Sequence, residues 1–229
     1  RYPRAVVAAP VLEVFFPTFA RLQDDRERLS KAFFRVCSLI VRVGFLFAGL
    51  FSFVAPEFIK LFLGEKWLPM RLTFQLMLVY TLFDPLLLIS GQLATALGKP
   101  QTLAKIRLAQ AGFFVPAVVV LGRFFNINGV AIAADLMLTI GLALILKALK
   151  DYVDFSLLRM LGYPSLGLGL ALVVGIFVQQ QLRTPNLVLT LLNKGVVIVT
   201  VYATVLLIFE RKQLLKIARL VYSLLTQKH

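Results

Sequence analysis

From Leu72 to Gly98 the chain runs between Arg71 and Lys99 with a single charge, at Asp84. A helix rises about 1.5 Å per residue, so roughly 20 apolar residues cross a hydrocarbon core of about 30 Å. This stretch spans a bilayer with length to spare. It lacks the polar stripe that a helix on a water-soluble domain needs. Asp84 is followed at once by Pro85. A carboxyl at mid-membrane depth is costly and marks a functional position by default. The alternative is a protonated, hydrogen-bonded acid at a proline kink, where the ring frees a backbone carbonyl. Both readings stay open for Asp84.

The rest of the chain has the same character. Of its 229 residues 59% are hydrophobic, against about 45–50% in soluble domains. The expected fold class is all-α, a polytopic helical membrane protein. The net charge of +14 would suggest nucleic acid in a soluble protein. Here the cations punctuate apolar runs, which assigns them to membrane orientation and argues against nucleic acid as a partner. The one cysteine, Cys37, excludes an intramolecular disulfide and a cysteine metal cluster, and the one histidine, His229, is the last residue. No catalytic residue, metal site or cofactor is therefore expected, and the chain does not read as an enzyme. It starts at Arg1 without Met or a signal peptide, and reads as the later part of something longer or as a processed form.

About seven membrane helices are expected. Residues 5–20, with Pro10, Pro17 and the acid Glu13, read as the end of a kinked helix. Glu13 faces either a polar interior or water at a helix end. The basic stretch 21–35 follows, where Asp24 and Glu27 have capping-box spacing. Further spans are expected at 36–56, 72–98, 102–123, 130–146, 165–182 and 187–209. Residues 57–71 read as a short outer loop with Trp67 at the interface, Asn126 to Gly129 as a tight turn and residues 183–186 as another. Gly44, Ala48 and Ser52, and again Gly167, Ala171 and Gly175, make small-residue faces for close helix packing. The tail from 210 to 229 carries Lys212, Lys216 and Arg219 on one face and Leu214, Ile217 and Val221 on another, so it should lie on anionic membrane lipids. The expected division is a helical membrane bundle over 1–150, two further membrane helices over 151–209, and this cytoplasmic tail over 210–229.

Alternating spans put sixteen of the 25 Lys and Arg on one side, in 21–35, 99–107, 147–159 and 211–228. Seven lie on the other, and Arg42 and Lys194 lie within spans. That bias predicts a cytoplasmic C-terminus. Glu13, Arg42, Asp84, Asp135 and Lys194 are the ionisable residues between apolar runs. Such residues face a bundle interior, a partner or water. Arg42 either snorkels to the near interface or lines a cavity where it meets an anion. With proline or glycine in nearly every span, these charges favour a transporter over a passive anchor.

Four phrases resemble the polysaccharide flippases, the lipid-linked oligosaccharide translocases of the multidrug/oligosaccharidyl-lipid/polysaccharide exporter superfamily. Phe16 to Leu22, followed by Asp24 and Asp25, resembles the family's FPxxSRL helix end. Leu63–Gly64–Glu65–Lys66–Trp67 resembles its GxxW outer loop, and Ala96–Leu97–Gly98–Lys99 its ALGK span end. Asn128 to Ala133 resembles its GxxGVAxA turn, with Asn126 in place of the first glycine. The resemblance covers about residues 10–150. It implies the second lobe of a transporter of 12 to 14 spans in the bacterial plasma (inner) membrane. It also implies a missing N-terminal lobe or partner chain. The implied substrate is an undecaprenyl-diphosphate-linked sugar, moved by alternating access for cell-surface polysaccharide. Arg42, and after it Lys194, would meet the diphosphate; Asp84, Asp135 and Glu13 would couple a cation or proton, or hold helices together. The family phrases match none of these positions, so their roles rest on membrane electrostatics. The competing expectations are a drug/cation antiporter of the same superfamily and a non-transporting subunit or remnant of a split transporter. A polysaccharide polymerase or ligase would need a larger outer loop than 57–71.

Overall fold

The computed structural model describes residues 16–181 and 186–226, with side chains up to Glu210. Glu13, the turn at 183–185 and the two faces of the tail lie outside the described side chains. All regular structure among the described residues is helical. A short helical segment covers 16–22. After it come α1 (Arg26–Phe53), α2 (Ala55–Phe62), a 3₁₀ helix (Glu65–Met70), α3 (Arg71–Ala96), α4 (Pro100–Leu149), α5 (Leu157–Gln181) and α6 (Leu187–Thr226). Five helical stretches are long and apolar enough to cross a membrane: α1, Glu65–Ala96, α4, α5 and Leu187–Glu210. Many large apolar side chains on them are exposed, among them Leu108, Val115 and Val173, as lipid-facing surfaces require.

The stretch 72–98 is one helix, α3, which runs through Pro85. The expected outer loop at 57–71 instead holds two short helices, the end of α2 and the 3₁₀ helix. Pro56 sits in the first turn of α2, where its missing N–H costs nothing. The expected cap of α1 moves by one residue: Asp25, not Asp24, accepts the Arg28 backbone N–H at 3.0 Å.

The described residues form two compact units. The first unit holds 16–41 and 72–156. Its centre is α4, whose 50 residues would measure about 75 Å if straight, more than twice a hydrocarbon core. It is not straight. Asn126 leaves helical geometry at φ 52°, ψ −135°, and the chain folds back on itself. The expected spans 102–123 and 130–146 are the arms of this hairpin. Gly129 passes so close to the first arm that a Cβ there would lie 1.9 Å from the Leu121 carbonyl oxygen. Further along the arms the buried Gln110 donates from Nε2 to the Met137 carbonyl at 3.0 Å. Gly141 leaves the room for that amide. The link 150–156 is tied to the start of α1. Asp154 pairs with Arg26 at 2.8 Å, its N–H donates to Ser30 Oγ at 2.8 Å, and Phe155 meets Phe33 edge-on at 5.9 Å.

The second unit holds 42–71 and 157–226. Here α5 packs along α6, and α2 also meets α6. On α5 the buried positions are Met160, Pro164, Gly167, Ala171 and Gly175, a single helical stripe. The small-residue face expected there is real. Gly167 receives the Tyr202 ring, and Gly175 receives Phe53 and Ile198. On α1 the contact shifts from the expected Gly44, Ala48 and Ser52, which are half-buried, to the buried Gly49. A Cβ at Gly49 would lie 2.0 Å from a Leu168 methyl.

Two substitutions test the hairpin. Asn126 holds a positive φ that costs a non-glycine residue about 1–3 kcal/mol. Asn126→Gly should therefore raise the thermal unfolding midpoint in detergent, and Asn126→Val should lower it. Gly129→Ala should destabilise by about 1–3 kcal/mol through overpacking. Gly122→Ala, whose Cβ meets only a Val130 methyl at 3.8 Å, should be tolerated in the same melting assay.

Candidate functional site

The second unit buries two cations inside apolar helical stretches, and both are the ones singled out from the sequence. Their positions follow from helical spacing. On α6, Lys194, Ile198, Tyr202, Leu206 and Glu210 recur at every fourth position and all are buried. On α1, Arg42, Phe45 and Gly49 likewise share a buried face.

Arg42 is buried and paired. It is 3% exposed and forms a forked pair with Glu210. Its Nε donates to Oε2 and its Nη2 to Oε1, both at 2.6 Å. Two parallel N–H···O bonds to a carboxylate are the strongest geometry available to arginine. Tyr202 closes the site from α6, donating its hydroxyl to the Arg42 carbonyl at 2.9 Å. At Glu210 the α6 backbone leaves helical values, with φ −126° and ψ 22°.

Lys194 makes the second pair. Its Nζ lies 2.7 Å from Glu57 Oε1, on α2, and 5.1 Å from the centre of the Phe53 ring. The other carboxylate oxygen of Glu57 is buried and unpaired among the described residues. Beside Lys194 a cleft lined by Gln179, Thr190 and Asn193 has a volume of about 20 Å³, room for one water molecule. From Lys194 to Glu210, the members of the two pairs that α6 supplies, the helix rises about 24 Å. That is most of the depth of a hydrocarbon core.

Two of the acids predicted from the sequence are in the first unit. Asp84 lies on α3, half-buried, immediately before Pro85. Asp135 lies on the second arm of α4, with Oδ1 buried and unpaired among the described residues. Both belong to the first unit. Glu13 lies outside the described residues. Among the described residues no three of His, Cys, Asp and Glu come together in a way that could hold a metal ion. Sequence reasoning missed Glu57 and Glu210, because each sits at the edge of an apolar run and reads as an interfacial charge. A signal for them exists. The interval from Arg42 to Glu57 nearly equals that from Lys194 to Glu210, and each is about four helical turns. Antiparallel helices with those intervals set a cation against an acid at both ends.

Residues 1–72 match the family described as "Polysaccharide biosynthesis protein". The chain is 29% identical over 122 residues to the "Lipopolysaccharide biosynthesis protein WzxC" of Escherichia coli (strain K12), covering 53% of this chain and 25% of that one. It is 27% identical over 116 residues to an "Uncharacterized membrane protein in cps region" of Klebsiella pneumoniae, covering 51% of this chain and 24% of that one. The chain thus spans about a quarter of the length of either relative. No solved structure matches it. These matches bear out the resemblance to the polysaccharide flippase family carried by the four phrases.

Removing one partner of a buried pair strands the other charge and costs about 3–5 kcal/mol. Arg42→Ala should therefore lower the amount of folded protein recovered from membranes. Arg42→Ala with Glu210→Ala should recover part of that loss, as read by fluorescence-detected size exclusion. If the double variant is no better than the single one, the pair is not what holds α1 to α6.

Proposed function

We propose that this chain is part of a flippase that carries lipid-linked saccharide precursors across the bacterial plasma membrane for cell-surface polysaccharide. The similarity to a lipopolysaccharide biosynthesis protein, over half of the chain, carries the reading. The chain contributes the second lobe, with its C-terminus on the cytoplasmic side and its tail on anionic lipid. The first lobe, or a partner chain, supplies the rest. The work is transport, not catalysis.

The buried pairs give this reading a chemistry. The substrate bears an undecaprenyl-linked diphosphate, and a diphosphate is a competitor for arginine and lysine. With no substrate at hand, Glu210 and Glu57 neutralise Arg42 and Lys194, so no bare charge faces hydrocarbon. During transport the diphosphate replaces a carboxylate, and the exchange keeps each cation paired. Asp84, Asp135 and Glu13 act as coupling or helix-packing acids.

Disruption of the gene within this segment, in the source bacterium, should abolish surface polysaccharide while its lipid-linked repeat unit accumulates. Loss of polysaccharide without any lipid-linked unit would instead mean an earlier biosynthetic step, and unchanged polysaccharide would end the proposal. The swap Arg42→Glu with Glu210→Arg keeps the ion pair but moves the cation. It should retain protein level and lower surface polysaccharide about ten-fold or more, since each lost charged contact is worth about 1.5–3 kcal/mol. Full polysaccharide from the swap would remove Arg42 from the substrate path.

A further inference from the structure

The open end of the α4 hairpin carries cations that the buried pairs leave unexplained. Lys99, Lys105 and Arg107 lie where the first arm begins, and Lys147 and Lys150 where the second arm ends; all five are exposed. Gln110 against Met137 and Gly141 fixes the arms' register. Lys99 against Tyr152, with Nζ 4.4 Å from the ring centre, fixes their ends. The five cations are therefore gathered at one end of one unit. Lys105 and Arg107 are two positions apart and so face different sides of the arm, which makes the cations a collar and not a single patch. The closed end of the hairpin has Arg123 as its one cation between Phe113 and Leu136.

Arg107 is set apart from the lysines. Its Nη1 donates to Gln110 Oε1 at 3.2 Å, while the Nε2 of the same amide is engaged by the Met137 carbonyl. Gln110 is 2% exposed and held at both ends. A buried amide thus steadies an exposed guanidinium about 10 Å along the helix from Pro100. Arginine has five N–H donors, and the remaining ones suit two oxygens of a phosphate. Leu108, next to it and 76% exposed, presents an apolar surface at the same depth. A guanidinium at the headgroup edge, ringed by lysines and set beside exposed leucine, matches a molecule with a phosphate above acyl chains.

We infer that the open end of this hairpin binds anionic phospholipid, with Arg107 holding the phosphate and Lys99, Lys105, Lys147 and Lys150 supplying the surrounding field. Gln110 acts through Arg107 as a positioning residue. Such binding does not depend on what the chain transports.

The test uses the full chain purified in detergent, offered equal amounts of phosphatidylglycerol and phosphatidylcholine, with retained lipid counted by native mass spectrometry. Wild-type protein should retain phosphatidylglycerol in preference. Arg107→Gln should lower that preference about five-fold, the worth of about 1 kcal/mol per cation near a membrane surface. Arg107→Lys keeps the charge without the fork and should fall between the two. Arg123→Gln, at the closed end, should leave the preference unchanged. Size exclusion identifies any variant that has not folded; should Arg107→Gln be one, Lys105→Gln with Lys147→Gln takes its place and should lower the preference instead. Equal retention of both lipids by the wild-type protein would overturn the inference, leaving these cations only a part in membrane insertion. An Arg123→Gln loss as large as that of Arg107→Gln would overturn it too, because net charge alone would then explain the binding. An Arg107→Lys preference equal to wild type would overturn the role of the positioned guanidinium.

Discussion

A charge taken out of water into hydrocarbon must find a partner, and that requirement organises the second unit. Arg42 and Lys194 lie inside helical stretches that are otherwise apolar. Each meets a carboxylate, Glu210 or Glu57, at hydrogen-bond distance. The two pairs tie α6 to α1 and α2 near opposite ends of one span, with the Tyr202 hydroxyl bonded to α1 between them. Beside these polar ties α5 closes in by shape, with the Tyr202 ring over its Gly167 and Phe53 over its Gly175. Lipid tails are as apolar as leucine, so apolar burial gives little drive for one membrane helix to join another. Ion pairs and close approach at glycine supply what apolar burial cannot.

The first unit answers a different demand. A helix as long as α4 cannot lie straight across a bilayer, and the backbone polar groups at its turn need partners. The hairpin reverses at Asn126, and the Thr73 hydroxyl on α3 donates to the side-chain Oδ1 of Asn128 there at 2.6 Å. The positive φ values among the described residues fall at Gly64, Gly98 and Asn126. All three lie inside phrases that carry the family resemblance. Gly98 ends α3 in the manner usual for helices, with Lys99 N–H returning to the Ala94 carbonyl at 2.9 Å. Gly64 lets the chain pass from α2 into the 3₁₀ helix that holds Trp67. Asn126 takes the place of a family glycine, and its positive φ shows why glycine is the commoner choice there. The phrases are thus the stops and reversals between helices, where few residue types serve, and that is why they are legible in a chain of interchangeable leucines and valines.

What could be read along the chain varied in the same way. Span 72–98 and the stripe Gly167, Ala171 and Gly175 follow from spacing alone, because length and period are properties of a single helix. The loop expected at 57–71 is two short helices, since Pro56 and Gly64 start and stop a short helix as well as they mark a loop. The close contact on α1 moved from Gly44 to Gly49, because which small residue meets a neighbour depends on where Leu168 of another helix arrives. Glu210 looked like the first residue of a surface tail, and burial beside Arg42 made it an interior partner.

The sequence by itself determined that this is a helical membrane protein, roughly where its helices stop, and which two cations have no water to face. Those conclusions rest on local quantities: the length of an apolar run, the positive φ that glycine or asparagine tolerates, the cost of a charge in hydrocarbon. Only the tertiary structure decided what satisfies each cation, since Arg42 and Glu210 are 168 residues apart and Lys194 and Glu57 are 137 apart. A charge inside a span announces that a partner exists. Its identity is fixed by which helix faces which, at what register, and that is set by the packing of whole helices, not by any stretch of the chain read alone.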